Sequence, residues 1–494
     1  MLRPRQSVTV ALFSVGAILF LLLTTSLAGD PLRLASLYHS PPRTSPVVDP
    51  VLIDLQARTF RYFWDTANPK NGLIPDRFPT PSFASIAAVG FALTAYPVGV
   101  ERGYVKRKEA RKRVLTTLRF LRNAPQGHAA KGMTGYKGFF YHFIDMKTGQ
   151  RFEESELSTV DTAILLAGAL FCQSYFDRPT ATERRIVALV DSMVTRADWE
   201  WMRPRPPLIS LGWKPEGGFL EWDWRGYNET LIVFLLALGS PTHAVGADAY
   251  RGYTGGYTWG TFHDQEYLGF APLFGHQYTH VWVDFRGIRD EYMRGKGIDY
   301  FENTRRATYA QRAYAMANPS GYKGYGADVW GLTACDGPLD GKLTLNGRER
   351  EFHTYEARGA CHTRVTDDGT IAPTAAGGSL PFAPEICLPA LMAMRERYGE
   401  PLFGRYGFVD AFNPTLDVAT RTPQGRVVPG LGWFDTDYLG IDQGPILAMI
   451  ENWRSGLVWR VMRKNAHLRR GLLAAGFRGG WLEGAEANGT GSSR

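Results

Sequence analysis

Eight consecutive apolar residues, 231–238 (LIVFLLAL), are closed by Gly239 and Pro241 and preceded by a polar, aromatic stretch at 222–230 (WDWRGYNET). A helix with no polar stripe has to be surrounded by protein. Residues 163–172, 386–392 and 446–450 have the same all-apolar character. A second kind of helix lies between these runs. Residues 104–122 set Ala110, Val114, Leu118 and Leu121 opposite many Lys and Arg, and residues 181–195 do the same with Ile186, Leu189, Val190 and Met193. Inner helices that see no water, alternating with outer helices that see it on one side, predict an all-α chain folded as a toroid barrel of helical hairpins. Hairpin-bearing loops fit between the helices; residues 138–152 (GFFYHFIDMKTGQRF) have the alternation and the Thr148-Gly149 turn of one.

The ends of the chain read differently. Arg3 and Arg5 precede an apolar stretch at 8–28, and Ser26-Leu27-Ala28 before Gly29 has the small residues of a cleavage site. Residues 1–28 are therefore a signal peptide or a retained membrane anchor. Residues 29–50 are a Pro/Ser-rich linker, 51–470 one large domain, and 471–494 a flexible tail. The body is expected to be periplasmic or secreted, and monomeric. The net charge of +8 does not imply a nucleic-acid partner. Seven basic residues (Arg454, Arg460, Arg463, Lys464, Arg469, Arg470, Arg478) fall in one stretch without an acid, leaving the rest near balance. That stretch reads as a solvated helix end. In an exported chain cysteines can pair, and Cys335 and Cys361, which flank a loop-like insertion, are the best candidates, with the pairing left open; Cys172 and Cys387 sit in apolar runs as buried thiols.

Carboxylates stand at the mouths of the apolar helices. Glu156 and Asp161 precede or open the run at 163–172, Glu229 opens 231–238, and Asp435, Asp437 and Asp442 precede 446–450. If the inner helices run parallel, their N-termini meet and these acids share one cavity. Each has a purely structural reading as well. Ser158-x-x-Asp161 is a variant capping box, Glu229 complements a helix dipole, and Asp442 caps a helix begun by Pro445. The dipole also lowers a carboxyl pKa, whereas a general acid needs it raised. Glu229 can act as an acid only if burial or a neighbouring carboxylate outweighs the dipole.

Residues 272–290 (PLFGHQYTHVWVDFRGIRD) supply His276, Gln277, His280, Trp282, Asp284 and Arg286. The aromatic alternation reads as an extended loop lining a sugar cleft, to which Trp330 and Arg305-Arg306 also belong. The two histidines come without HExxH, so no metal is expected. A nucleophile elbow, a Walker loop, a Rossmann fingerprint and paired CxxC motifs are absent from the sequence, and no cofactor is expected.

SELSTVDTAILLAG, GYNETLIVFLLALGSPTH, PLFGHQYTHVWVDFRGIRD, WGLTACDGP, DGTIAPTAAGGSLPFAPE and YLGIDQGPI together resemble the glycoamylase-like family. That family includes bacterial endo-β-1,2-glucanases and a domain of cyclic β-1,2-glucan synthases. The resemblance implies an (α/α)6 barrel and a glucan substrate, β-1,2-linked, cleaved by inverting hydrolysis or passed on by transglycosylation. It implies Glu229 as general acid and Glu156, Asp161 and Asp442 as lining the reacting subsites; Asp442 or Asp161 is expected as base, acting directly or through a substrate hydroxyl. Glu156, Trp224, Tyr227, Asn228, His276, Gln277, Trp282, Asp284, Arg286 and Trp330 would bind the sugar. A long insertion at 339–370 and Cys335 in place of a small polar residue depart from the pattern. A glycan-binding envelope protein without chemistry is the remaining alternative.

Overall fold

The computed structural model describes residues 49–483, in which helices dominate and sheets are small. The leader at 1–28, nearly all of the linker and the last residues of the tail lie outside the described residues. In chain order the helices are α1 (Pro50–Asp65), α2 (Ile86–Glu101), α3 (Arg107–Asn123), α4 (Thr159–Tyr175), α5 (Ala181–Arg196), α6 (Leu231–Leu238) and α7 (Ala247–Thr254). They continue as α8 (Phe274–Trp282), α9 (Glu291–Lys296), α10 (Tyr300–Ala317), α11 (Pro373–Gly377), α12 (Pro384–Tyr398), α13 (Gly440–Ser455), α14 (Leu457–Met462) and α15 (Ala466–Ala474). Among the described residues no helix is long and apolar enough to cross a membrane.

The two kinds of helix separate as their side chains require. Every residue of α6 is buried, as is most of α4 and the first three turns of α13. By contrast α3 buries Ala110, Val114, Leu118 and Leu121, and α5 buries Ile186, Leu189, Val190 and Met193, each on one face. One buried helix escapes the pattern reading. α2 is enclosed from Ile86 to Gly99 although it carries Gly90 and Pro97, residues that locally argue against a helix.

α2 packs between α4 and α13, and α4 also meets α6 and α8. The α2–α4 crossing is made at backbone contact. A Cβ added to Gly168 would stand 2.0 Å from the Gly90 carbonyl oxygen, and one added to Gly90 would stand 2.5 Å from that of Ile164. Alanine at Gly168 would gain about 0.5–1 kcal/mol in helix propensity. Overpacking against a backbone costs about 1–3 kcal/mol. Gly168→Ala is therefore expected to be net destabilising by about 1 kcal/mol, read as a lower urea midpoint with unchanged slope.

The sheets serve as entries to the helices. Leu157–Ser158 is the central strand of a five-stranded antiparallel sheet and runs directly into α4, with Ser158 as its N-cap. The insertion at 339–370 is built of hairpins: Gly341–Leu345 pairs with Arg348–Phe352, and Gly359–Cys361 with Arg364–Thr366.

Several sequence readings are corrected. In the stretch 138–152, Ile144 bridges Arg151 as a hairpin would, but Phe139–Tyr141 pairs with Leu157–Ser158 instead of its own return strand. Residues 274–282 form α8, not an extended loop; Phe274, Tyr278 and Trp282 recur every four residues, the helical spacing. α13 starts at Gly440 with Pro445 inside it, so Asp442 lies in the first turn and does not cap a helix begun at Pro445. Cys335 and Cys361 are free, buried thiols. The body runs past 470, since Leu472, Phe477 and Leu482 are buried. The basic stretch is solvated only in part: Arg460, Lys464, Arg470 and Arg478 are exposed, yet several of its guanidinium groups also hold the fold. Arg470 Nε donates to the Gly239 carbonyl (2.9 Å), Arg469 to that of Leu482 (3.0 Å), Arg478 to that of Phe477 (2.7 Å), and Arg463 pairs with Asp284.

Candidate active site

A cavity of about 560 Å³ opens where the starts of α4, α8 and α13 meet the segment that leads into α6, a volume in the range of small-ligand sites. Asp161, Glu229 and Asp442 line it together, though they are far apart in the chain. Phe83, Phe143, Phe274, Tyr278 and Tyr355 provide aromatic wall, and Asp76, Arg77, His142 and Asp336 add charge.

Glu229 is the last residue before the N-cap of α6 and is pinned from both sides. Asn228 Oδ1 accepts the Thr230 N–H (3.0 Å), and Thr279 of α8 donates its hydroxyl to the Glu229 carbonyl (3.0 Å) while accepting the Ile232 N–H (3.1 Å). Burial pushes its carboxyl up to about 7; a backbone hydrogen bond opposes the shift and the charge of Asp161 adds to it. Burial, helped by the neighbouring Asp161 carboxylate, thus supplies the upward shift that the sequence required of an acid at this position.

Asp161, in the first turn of α4, shares a short contact with Ser158 Oγ, which also accepts the Asp161 N–H (3.2 Å). Burial raises its carboxyl, against His142 and Ser158. His142 bridges two acids, with Nδ1 3.0 Å from Glu156 Oε1 and Nε2 3.6 Å from Asp161 Oδ1. Burial disfavours its charge, but Asp161, Glu156 and Asp76 together push it up to about 9, so it is a cation at neutral pH. Glu156 in turn is held below its ordinary value by His142, burial notwithstanding.

On another wall, Arg77 donates to Asp336 Oδ2 (2.6 Å) and to Asp76 Oδ2 (3.3 Å). Asp442 is buried, and its Oδ2 has no hydrogen-bond partner among the described residues. Burial pushes it up to about 7; a hydrogen bond with Asp410 opposes this, and Asp336, Asp76 and Asp435 add to it. Its two oxygens are thus less committed than those of Asp161.

The other residues expected to bind sugar do not line this cavity. Glu156 reaches it only through His142. Trp224 donates Nε1 to Thr159 Oγ1 (2.7 Å), and Tyr227 is buried and stacked on Tyr300. His276 contacts the Phe270 carbonyl (3.1 Å), and burial drives it down to about 4 and His280 down to about 3, so both are neutral. Gln277 donates to the Ala375 carbonyl and Ser379 Oγ, and Trp282 to Thr94 Oγ1. Asp284 is neutralised by Arg286 and Arg463, while Trp330 is fully buried. Of the weaker candidates, Arg305 pairs with Glu385 and Arg306 with Glu302. Along 272–290 the helix turns most of its polar groups into the core, and of its residues only Phe274 and Tyr278 reach the cavity. Asp76, Arg77, His142, Asp336 and Tyr355 were not singled out by the sequence. Of these only Asp336 carried a signal, its place in WGLTACDGP.

A family model named Glycoamylase, with the description "Putative glucoamylase", matches residues 221–466. A solved structure from Bacteroides fragilis with the same description is 32% identical, covers 90% of this chain and all of its own, and superposes with a TM-score of 0.75. The endo-β-1,2-glucanase of Chitinophaga pinensis, solved with sophorotriose and glucose, is 28% identical with a TM-score of 0.74, covering 87% of this chain and 98% of its own. An exo β-1,2-glucooligosaccharide sophorohydrolase (non-reducing end) of Parabacteroides distasonis is 29% identical over 464 residues. That match covers 87% of this chain, which spans 58% of the length of that curated relative.

Proposed function

This chain belongs to the Glycoamylase family, and from that premise we propose that it is a glycoside hydrolase that cleaves β-1,2-glucan at internal linkages with inversion of configuration. The observation behind the reading is the shared cavity of Glu229, Asp161 and Asp442, in which Glu229 is held as an acid up to about pH 7. The names of the Chitinophaga and Parabacteroides relatives support the linkage. In this reading the helices close as an (α/α)6 barrel, and the chain is an exported, monomeric protein of the periplasm or exterior, with residues 1–28 as signal or anchor.

Inverting hydrolysis needs a carboxylic acid at the leaving oxygen and a carboxylate that activates water on the other face of the ring. Glu229 gives its proton to the glycosidic oxygen. Asp442, whose Oδ2 has no partner among the described residues, takes a proton from the attacking water. Asp161, engaged by Ser158 and His142, is less available as a base and instead holds sugar hydroxyls together with the His142 cation. The aromatic wall offers apolar surface to the ring faces.

Incubating the purified protein with linear β-1,2-glucan tests this. Products of mixed intermediate length at early times, α-configured by NMR before mutarotation, are expected. Sophorose alone from the first time point would assign exo action. Longer or cyclic products would assign transglycosylation, and an untouched substrate would sink the hydrolase reading. The pH profile is a separate check. Glu229 must be protonated to donate and Asp442 ionised to accept, and burial pushes both to about 7, so kcat/KM should be bell-shaped about pH 7 and fall about tenfold per unit on either flank. A profile flat to pH 9 would remove Glu229 from the role of acid.

A further inference from the structure

Behind the cavity wall three acids converge that the hydrolytic chemistry does not use as a set. Asp336, Asp410 and Asp435 are 3%, 1% and 1% exposed, and each offers a carboxylate oxygen within 4.8 Å of the others. Asp336 ends the strand Ala334–Asp336, Asp410 follows the strand Gly407–Phe408, and Asp435 follows Gly432–Phe434. Three separate chain segments thus bring their charge to one point.

The hydrogen bonding of the three has a common form. Asp410 Oδ2 accepts the Asp336 N–H (2.7 Å), and no N–H or O–H group among the described residues donates to Oδ1, which leaves Asp442 as its side-chain neighbour. Asp435 Oδ1 accepts the N–H groups of Thr436 (2.6 Å) and Asp437 (3.1 Å), and Oδ2 has no partner among the described residues. Asp336 Oδ2 accepts from Arg77 (2.6 Å), leaving its other oxygen. Each carboxylate is anchored by one oxygen; the second oxygen of Asp435 is buried and orphaned, a state that costs about 1–3 kcal/mol or more for a charged group, and Asp410 is left against Asp442, with which it can share a hydrogen bond only if one of the two is protonated. Asp410 and Asp435 do not line the cavity, so sugar hydroxyls do not satisfy them. Arg77, the cation that meets this cluster, is also shared with Asp76 and approaches Asp437. So much negative charge away from water has to be neutralised by a bound cation or by protons.

We propose that Asp336, Asp410 and Asp435 bind a single calcium ion that ties the strand before the insertion to the two segments leading into α13. The donor set is oxygen only, which selects a hard cation over zinc or copper. Carboxylate oxygens within 4.8 Å of one another can be spanned by an ion with Ca–O distances of about 2.3–2.6 Å, and calcium takes irregular all-protein oxygen sites more readily than magnesium, which keeps its waters. Asp336 lines the cavity as well, so the ion would brace the wall that carries Asp442 without touching substrate.

The test does not depend on activity. Protein purified without chelator is analysed for metal by mass spectrometry, and its Tm is followed in EDTA, then with calcium or magnesium chloride added back. About one calcium per chain is expected, with a Tm loss in EDTA of about 3–5 °C that calcium restores more fully than magnesium. Asp435→Asn, of nearly equal volume, should carry no calcium and show no such response. The rival is proton sharing among the acids, including Asp410 with Asp442. Metal-free protein whose Tm ignores EDTA and calcium, and rises as the pH is lowered, would overturn the proposal. So would an Asp435→Asn variant that still binds calcium with the wild-type response. If the variant does not fold, the metal content and Tm of the unaltered protein decide.

Discussion

Glu229→Gln is expected to lower kcat on β-1,2-glucan by about 10³-fold, within the 10²–10⁴ that a positioned acid contributes, with Tm retained. The amide keeps the shape of the side chain but has no proton to give to a leaving oxygen. The effect on stability has a definite sign. Burial raises the folded-state pKa of Glu229 to about 7 from an ordinary 4.5, so the folded protein binds that proton more tightly than the unfolded chain. The stabilising influence of protonation is complete below the unfolded value and is lost as the pH rises through about 7. A neutral amide does not titrate, so the variant should match the wild-type Tm at pH 5 and equal or exceed it at pH 8. Loss of turnover with this Tm pattern separates a catalytic role from a structural one. Near-normal turnover would end the assignment of Glu229 as the acid.

Asp442→Asn is expected to lower kcat by about 10²–10⁴-fold, with KM changed far less. Without a base, water is a poor nucleophile, whereas azide needs no proton removed. Added azide should restore turnover in Asp442→Asn and release a glycosyl azide of inverted configuration, and should do nothing for Glu229→Gln. Asp161→Asn should show a smaller loss of kcat and a larger rise in KM, because that side chain is engaged by Ser158 and His142. Azide rescue of Asp161→Asn but not of Asp442→Asn would exchange the two roles.

Much of the helical layout was legible because it is written in short-range periodicity. The buried character of α6 follows from eight apolar residues in a row, and the exposed faces of α3 and α5 follow from residues three and four apart. The carboxylate trio was legible for a similar reason, since Asp161, Glu229 and Asp442 each stand at the start of an apolar run. α2 was not, because Gly90 and Pro97 look unfavourable until α4 is present to need a close crossing.

The sequence by itself determined which helices must be inside and which acids stand at their mouths, because both are properties of neighbouring residues. Only the tertiary structure decided what surrounds those acids. Arg77 reaches the cavity through a strand that pairs with Tyr438–Leu439, and His142 from beside the strand Phe139–Tyr141 that pairs with Leu157–Ser158. It also sent His276, Gln277 and Trp282 into the core, where their hydrogen bonds are made to protein. The working pKa of Glu229 belongs to the same level. A local backbone hydrogen bond pulls the carboxyl down and enclosure by distant elements pushes it up, and desolvation is set by everything that packs around a group, not by its neighbours in the chain.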